Sequence, residues 1–315
     1  MRAIVLQETG GPEMLVPEEI PEPTAGAGQV LVRTEAIAIS RAESLMRSGV
    51  IPLPFPLPAV IGAEAAGVVA EVGEGADPGL AGARVVMVTD GAGSYAELIA
   101  VDAGMTVRVP DGLSAVEAVA SAAPGAMALA LLDRLARDLG AGRIIATGGT
   151  PVGRGRVLEL GADVVLDHAD PDWASGLADA LDGATLDVAF DAAAGAAAGQ
   201  VLDHLTPGSG RMVCYGMLSG TPPVIDMAKV TRSGLHVLGC GGPGWFRQVL
   251  GVHYPQILQR AVRSRIKPRI AAVLPLAEAA EAHRRIDQRD VAGRIVLVPG
   301  QPRTRASERP ARTSR

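Results

Sequence analysis

The residues best suited to chemistry in this chain are glycines and arginines. Gly148, Gly149, Thr150, Gly153, Arg154, Gly155 and Arg156 lie between a strand-like segment, Arg143–Thr147, and a helix-like one, Gly153–Gly161. In that context backbone N–H groups and a helix N-terminus can approach an anion. The pattern is not GxGxxG, because Leu158 holds the third position. Gly216 and Ser219 follow the strand-like run Arg211–Tyr215, and Gly241 lies in the stretch Gly239–Gly242 that ends the next one. An open α/β sheet binds its ligands at such carboxyl ends. A glycine-permissive turn is the purely structural alternative.

Metal chemistry has little to stand on. Cys214 and Cys240 sit in the apolar runs Met212–Tyr215 and Val237–Cys240, as reduced core thiols do. His168, His204, His236, His253 and His283 are scattered, with no HxxxH or CxxC pair. No metal is expected.

These groups must be positioned by a sizeable scaffold. The chain has 315 residues, 48% hydrophobic and 20% charged, enough for two domains with a large core. Net charge is −5 and aromatic content 3%, so neither a global field nor a base-stacking platform points to nucleic acid. The longest apolar stretch, Ala115–Leu132, is interrupted by Glu117 and Pro124, so no membrane span is expected. The N-terminus reads directly as a strand and lacks the apolar core of a signal peptide, which makes a cytoplasmic protein the expectation. Residues 301–315, rich in Arg among Pro, Ser and Thr, read as a solvated disordered tail, with a docking segment as the alternative.

The first part reads as all-β. Ala3–Leu6, Gln29–Ala38, Gly67–Val72, Arg84–Thr89, Ser94–Val101 and Thr106–Val109 are short β-rich runs separated by Gly and Pro, as in a barrel. Arg41–Ser48 reads as one or two helical turns. At Ser114, with Glu117, a capping box opens a helix and the pattern changes. Strands Arg143–Thr147, Val164–Leu166, Asp187–Asp191, Arg211–Tyr215 and Leu235–Cys240 then alternate with helices, including Trp173–Leu181, Ala196–Leu205 and Phe246–Ser264. Alternation predicts a doubly wound, mostly parallel sheet. A helix Leu276–Gln288 and a strand Arg294–Val298 close the chain.

The chain resembles a zinc-independent medium-chain dehydrogenase/reductase of the quinone oxidoreductase type. The matching fragments are Ala42–Gly49, Pro58–Val69, Glu71–Gly75, Gly93–Leu98, Val109–Leu113, Val157–His168, Asp187–Asp191, Gly208–Gly216 and Gly293–Pro299, in family order. The resemblance implies a GroES-like barrel domain (residues 1–113 and 268–300) and a Rossmann-like domain (114–267). It implies NADPH in the cleft between them and hydride transfer to a quinone or activated alkene, without metal. A homodimer through the edge of strand Leu235–Leu238 also has family precedent.

Three features depart from the family. The strand and A-A-G-G-V-G turn that hold the pyrophosphate are missing, and Leu135–Ala141 corresponds only to the end of the following helix. Most of the opening of a βαβ unit of about 30 residues is gone, so the sheet is expected to lack its first, central strand. Ser40 stands where relatives carry Asn on the nicotinamide side, and Met127 where they carry Thr; Pro124 also replaces a polar residue. With Leu45 and Phe55, Ser40 and Met127 are the candidates for lining a substrate pocket. Cofactor candidates are Gly148, Gly149, Thr150, Arg154, Arg156, Gly216, Ser219, Gly241 and Arg294. Thr150, Arg154 and Arg156 would favour NADPH if Arg143–Thr147 keeps its family place as the second strand. If that segment instead slides into the empty central position, Gly148–Gly153 becomes a makeshift phosphate turn. Tyr95 is expected to be packed structure and Glu64 a buried hydrogen-bonded carboxylate. The expected function is a weakened NADPH-dependent quinone or enone reductase. The alternative is a non-redox descendant that binds or cyclises an apolar molecule in the cleft without cofactor.

Overall fold

A computed structural model describes residues 1–135, 141–168, 170–263, 266–289 and 291–300. The end of the helix expected through Leu139, and the Arg-rich tail, lie outside them. The first unit comprises β1 (Arg2–Leu6), β2 (Leu15–Glu19), β3 (Gln29–Ala38), α1 (Arg41–Arg47), β4 (Ala59–Val60), β5 (Glu64–Val72), β6 (Arg84–Val88), β7 (Leu98–Asp102) and β8 (Thr106–Arg108). The long strand β3 organises it, pairing antiparallel with both β5 and β7. Ile4, Leu6, Val30, Val32, Ile37 and Met87 fill its interior. The β-rich spacing foretold this unit, but β2 and β4 were not expected, and β7 begins at Leu98 rather than Ser94.

Next come α2 (Ala115–Leu135), β9 (Ile145–Thr147), α3 (Pro151–Glu159), β10 (Val164–Leu166), α4 (Trp173–Leu181), β11 (Val188–Asp191), α5 (Ala196–Leu202), β12 (Arg211–Cys214), α6 (Met227–Ser233) and β13 (His236–Gly239). A helical rod follows as α7 (Gly242–Gln248), a π turn (Val249–His253) and α8 (Tyr254–Val262). The chain then gives β14 (Ile270–Pro275), α9 (Ala279–Asp287) and β15 (Arg294–Val298). β14 pairs with β15, and β15 with β3, so the end of the chain returns to the barrel sheet.

The capping box at Ser114 is present: its hydroxyl accepts from Glu117 N–H at 3.2 Å, and Glu117 accepts from Ser114 N–H at 3.0 Å. Small residues along α2 let α8 approach closely. A Cβ on Gly125 would stand 2.3 Å from Ile257 Cγ1, so only glycine fits this crossing. α2 also contains Ala115–Leu132, long and apolar enough to cross a membrane by length and composition. Half of that window is buried in this molecule, against the barrel and α8.

The parallel sheet is split. β9 pairs with β10, and β11, β12 and β13 pair in that order, but among the described residues no pairing joins β9 to β11. This is the expected result of losing a central strand. Arg143–Thr147 keeps its family partner, β10, and does not slide over to β11. The break leaves side chains uncovered: Phe190 on β11 is 42% exposed, whereas Met212 and Val213 on β12 are fully buried. α4 bridges the two sheets, packing Trp173, Leu177 and Leu181 against Ile145 and Leu166 on one side and Leu186 and Val201 on the other.

Candidate functional site

The densest polar cluster lies where barrel, α2 and α8 meet. Glu64 opens β5 and is 5% exposed. Its Oε1 accepts from Ala123 N–H at 2.9 Å and Tyr254 hydroxyl at 3.2 Å, and its Oε2 from Arg294 at 2.9 Å. Ala123 directly precedes Pro124 inside the continuous helix α2, and its N–H reaches the carboxylate. Burial pushes the Glu64 carboxyl up to about 7, with Arg294 opposing that rise. Burial, and then Glu64 itself, hold the Tyr254 phenol well above its usual range. The cluster ties strands from both ends of the barrel to α2 and α8.

A second buried network starts at Ser40. Its hydroxyl caps α1 by accepting from Glu43 N–H at 3.3 Å, while Glu43 accepts from Ser40 N–H at 2.5 Å and Ala63 N–H at 2.8 Å. Burial raises the Glu43 carboxyl and, with Glu43, lifts the Tyr95 phenol. Tyr95 meets His283 Nε2 at 3.0 Å, and Arg47 Nε donates to His283 Nδ1 at 3.3 Å. That donation assigns the His283 proton to Nε2, which then donates to Tyr95. Burial, with Arg47 beside it, lowers His283 to about 4. Arg47 and Arg41 both pair with Asp287 on α9.

The expected cofactor residues fall into separate places. Gly148, Gly149, Thr150, Arg154 and Arg156 line the β9–α3 corner. Thr150 caps α3 by accepting from Gly153 N–H at 3.1 Å, and Gly148 N–H bonds to Leu166 carbonyl at 2.9 Å. Arg154 is held by Asp167 at 2.5 Å, whereas Arg156 makes only a long 3.4 Å contact to Ala292 carbonyl. Gly149 lies against His168, whose Nε2 would stand 2.8 Å from a Cβ there. Gly216 and Ser219 follow β12. The adjoining Gly220 comes so close to the barrel that a Cβ on it would stand 2.5 Å from Val50 Cγ1. The junction of the two units is therefore lined by this loop and by the α1–β4 loop. Gly241 is exposed at the start of α7, and Arg294 sits at Glu64. Among the pocket candidates, Leu45 is buried on α1, Phe55 packs on the barrel core, and Met127 packs on the α2–α8 core. Sequence reading missed Tyr254, Arg47 and Asp287, whose partners lie about 190 to 240 residues away in the chain. Among the described residues, no group of three His, Cys, Asp or Glu is arranged to hold a metal ion.

NADPH fits the residues present at its ends and not at its middle. A capped helix N-terminus with Arg156 follows β9, and glycine loops follow β12 and β13. Among the described residues, no strand or turn lies between the edges of β9 and β11 to cradle a pyrophosphate. Two N–H groups of the β9–α3 loop, those of Gly148 and Gly153, are bonded within the protein.

A barrel joined to a parallel-sheet unit, with strand ends and glycine loops at their junction, is the plan of a two-domain cleft dehydrogenase or reductase. Residues 26–111 match the alcohol dehydrogenase GroES-like domain, and residues 130–252 the zinc-binding dehydrogenase domain. The chain is 28% identical over 341 residues to 2-haloacrylate reductase of a Burkholderia species, covering 94% of this chain and 98% of that protein. It is 27% identical over 326 residues to quinone oxidoreductase 1 of Escherichia coli, covering 94% and 99%. The crystal structure of Escherichia coli quinone oxidoreductase complexed with NADPH superposes with a TM-score of 0.84 at 26% identity, covering 95% of this chain and all of that one. The chain belongs to the medium-chain dehydrogenase/reductase family, in its quinone oxidoreductase-like branch, and the relatives named here are oxidoreductases.

Proposed function

We propose that this protein is an NADPH-dependent reductase of quinones or activated alkenes whose hold on the cofactor is weakened by the split sheet. The observation that carries this reading is the whole-chain likeness to an NADPH-complexed quinone oxidoreductase, with the strand-end loops at the domain junction retained. Thr150 and Arg156 would meet the adenosine side of NADPH, and Gly216, Ser219 and Gly241 its nicotinamide side. When bound, NADPH supplies a hydride to an electron-poor carbon. The chain's own part is to orient an apolar, quinone-like substrate with Leu45, Phe55 and Met127 and to exclude water. Ser40 is tied to Glu43, its oxygen capping α1 and its hydroxyl bonding the Glu43 carboxyl. Glu64, raised by burial to about 7, is a buried group that ties β5 to α2, α8 and β15.

Arg154 is neutralised by Asp167, so Arg156 is the better candidate for selecting the 2′-phosphate. Steady-state oxidation of NADPH and NADH with a benzoquinone or enone acceptor tests both points. Arg156→Ala is expected to raise the KM for NADPH about tenfold or more and leave that for NADH nearly unchanged, since a charge-assisted bond contributes about 1.5–3 kcal/mol. Equal effects on both cofactors would remove Arg156 from the site.

A second reading is favoured by the break between β9 and β11: a non-redox descendant that binds or cyclises an apolar molecule in the junction. It is distinguished by substrate-dependent chemistry that proceeds without any nicotinamide present.

A further inference from the structure

Exposed apolar side chains are concentrated beside the junction of the two units. Fourteen large hydrophobic residues are exposed among the described residues, and five of them, Val50, Met217, Leu218, Val224 and Met227, lie on the α1–β4 loop or between β12 and the first residue of α6. Single exposed residues of this kind are ordinary, whereas a group of them calls for an occupant. The backbone holds them out. Met217 carbonyl accepts from Gly220 N–H at 2.9 Å and closes a tight turn, and the Leu218 and Ser219 N–H groups each bond at 3.0 Å to the carbonyls of Ala192 and Ala193 after β11. The centre of such a turn favours Gly, Asn, Asp, Ser or Pro, and here it carries Leu218. The opposite lip is pinned by Leu45 carbonyl, which accepts from Val50 N–H at 3.0 Å and Ile51 N–H at 3.2 Å. Beyond it, exposed Pro52, Pro54 and Pro56 alternate with Leu53, Phe55 and Leu57, which pack on the barrel core, so this lip is stiff as well. The two lips touch where Val50 lies against Gly220, whose φ is +81°. Both are uncharged: residues 48–63 and 212–225 contain no Asp, Glu, Lys or Arg, in a chain that is 20% charged.

We propose that Val50, Met217 and Leu218 form a subsite for an uncharged apolar chain carried by the substrate, so that the protein takes lipophilic acceptors in preference to bare ones. The inference rests on the reductase reading for the reacting head of that molecule, and on the two lips alone for its chain. Position decides the occupant. The lips stand where the loop after β12 meets the barrel, at the carboxyl end of parallel strands, so a chain lying on them belongs to a molecule held in the junction. A folded partner needs roughly 800 Å² on its side of a stable contact, far more than two short loops offer. An anionic bilayer is drawn by Lys and Arg, which both lips lack. A carboxylate or phosphate on the chain would be desolvated there without a counter-charge. A saturated or prenyl chain instead gains with every methylene it buries, and lips already fixed by their backbone bonds lose little freedom in receiving it.

The test compares tetramethylbenzoquinone with the analogue in which a decyl chain replaces one methyl group, using the full chain. Binding of each is measured by equilibrium dialysis without NADPH, and then the KM of each during NADPH oxidation. In the wild type the decyl chain is expected to tighten binding about tenfold or more, the effect of about two buried methylenes, and to lower KM in proportion. Met217→Ser with Leu218→Ser, and separately Val50→Ser, are each expected to bring the ratio between the two quinones close to one. Leu160→Ser, at a side chain 80% exposed that lies on neither lip, is expected to keep the wild-type ratio. All four side chains are exposed, and circular dichroism checks that each variant is folded. A wild type that binds both quinones equally would overturn the proposal, as would lip variants that keep the advantage of the chain, or a Leu160→Ser variant that loses it. Chain-dependent binding that the lip variants abolish, with no oxidation of NADPH, would sink the reductase reading and leave the subsite standing. Turnover of both quinones with the same KM would do the reverse.

Discussion

Glu64 and His283 are buried ionisable residues with opposite consequences. Glu64 is raised from the usual carboxylate range to about 7, so the fold prefers its protonated form. Its contribution to stability is full below about pH 4.5 and is lost as pH rises through about 7. His283 is lowered to about 4, so the fold prefers its neutral form. Its contribution is full above about pH 6.5 and is lost as pH falls through about 4. Each shift corresponds to a few kcal/mol at most, at about 1.4 kcal/mol per pH unit. Between about pH 4.5 and 6.5 the two slopes oppose each other. Relative to the wild type, Glu64→Gln is therefore expected to gain stability as pH rises through that window, and His283→Asn to lose it. Thermal denaturation of the three proteins across pH 4 to 8 measures this. Parallel profiles for both variants would contradict the assignment. Part of this chemistry was legible in the sequence. Tyr95 as packed structure and Glu64 as a buried carboxylate were both expected from the sequence. The donors that complete them, Tyr254, Arg294 and Arg47, come from distant segments that no local spacing connects.

At the scale of elements, the deleted segment explains the sheet. Strand alternation after Ser114 predicted parallel strands, and the incomplete run before Arg143 predicted the missing one. What could not be read was whether β9 would move to close the gap. That depends on the balance between a parallel pairing with β10, supported by α4 underneath, and an uncovered edge on β11. The native pairing won, and two backbone edges face the break. Short β2, β4 and β14 were missed because each carries only two to six residues and a weak alternation. Edges without a partner open readily. Amide exchange is expected to be about tenfold or more faster in β9 and β11 than in the central β12, an opening difference of about 1.4 kcal/mol or greater. Equal protection of all three strands would mean that something closes the break in solution.

For the whole molecule, the barrel, the α2–α8 packing and the Glu64 cluster tie the two units together, while the parallel sheet is broken between β9 and β11. A dinucleotide held at its ends lacks the charge-assisted bonds of a phosphate turn, each contributing about 1.5–3 kcal/mol. Losing two weakens binding about a hundredfold or more. The family and its order of fragments were legible from end to end. Cofactor strength was not, because it depends on which N–H groups remain unbonded once the chain has folded. Calorimetric titration of the full chain with NADPH, and in parallel with NADH, tests the central claim most directly. A dissociation constant in the high micromolar range or weaker, with NADPH preferred, is the expected result. Submicromolar binding would contradict it, by requiring a complete phosphate site that the break between β9 and β11 does not provide.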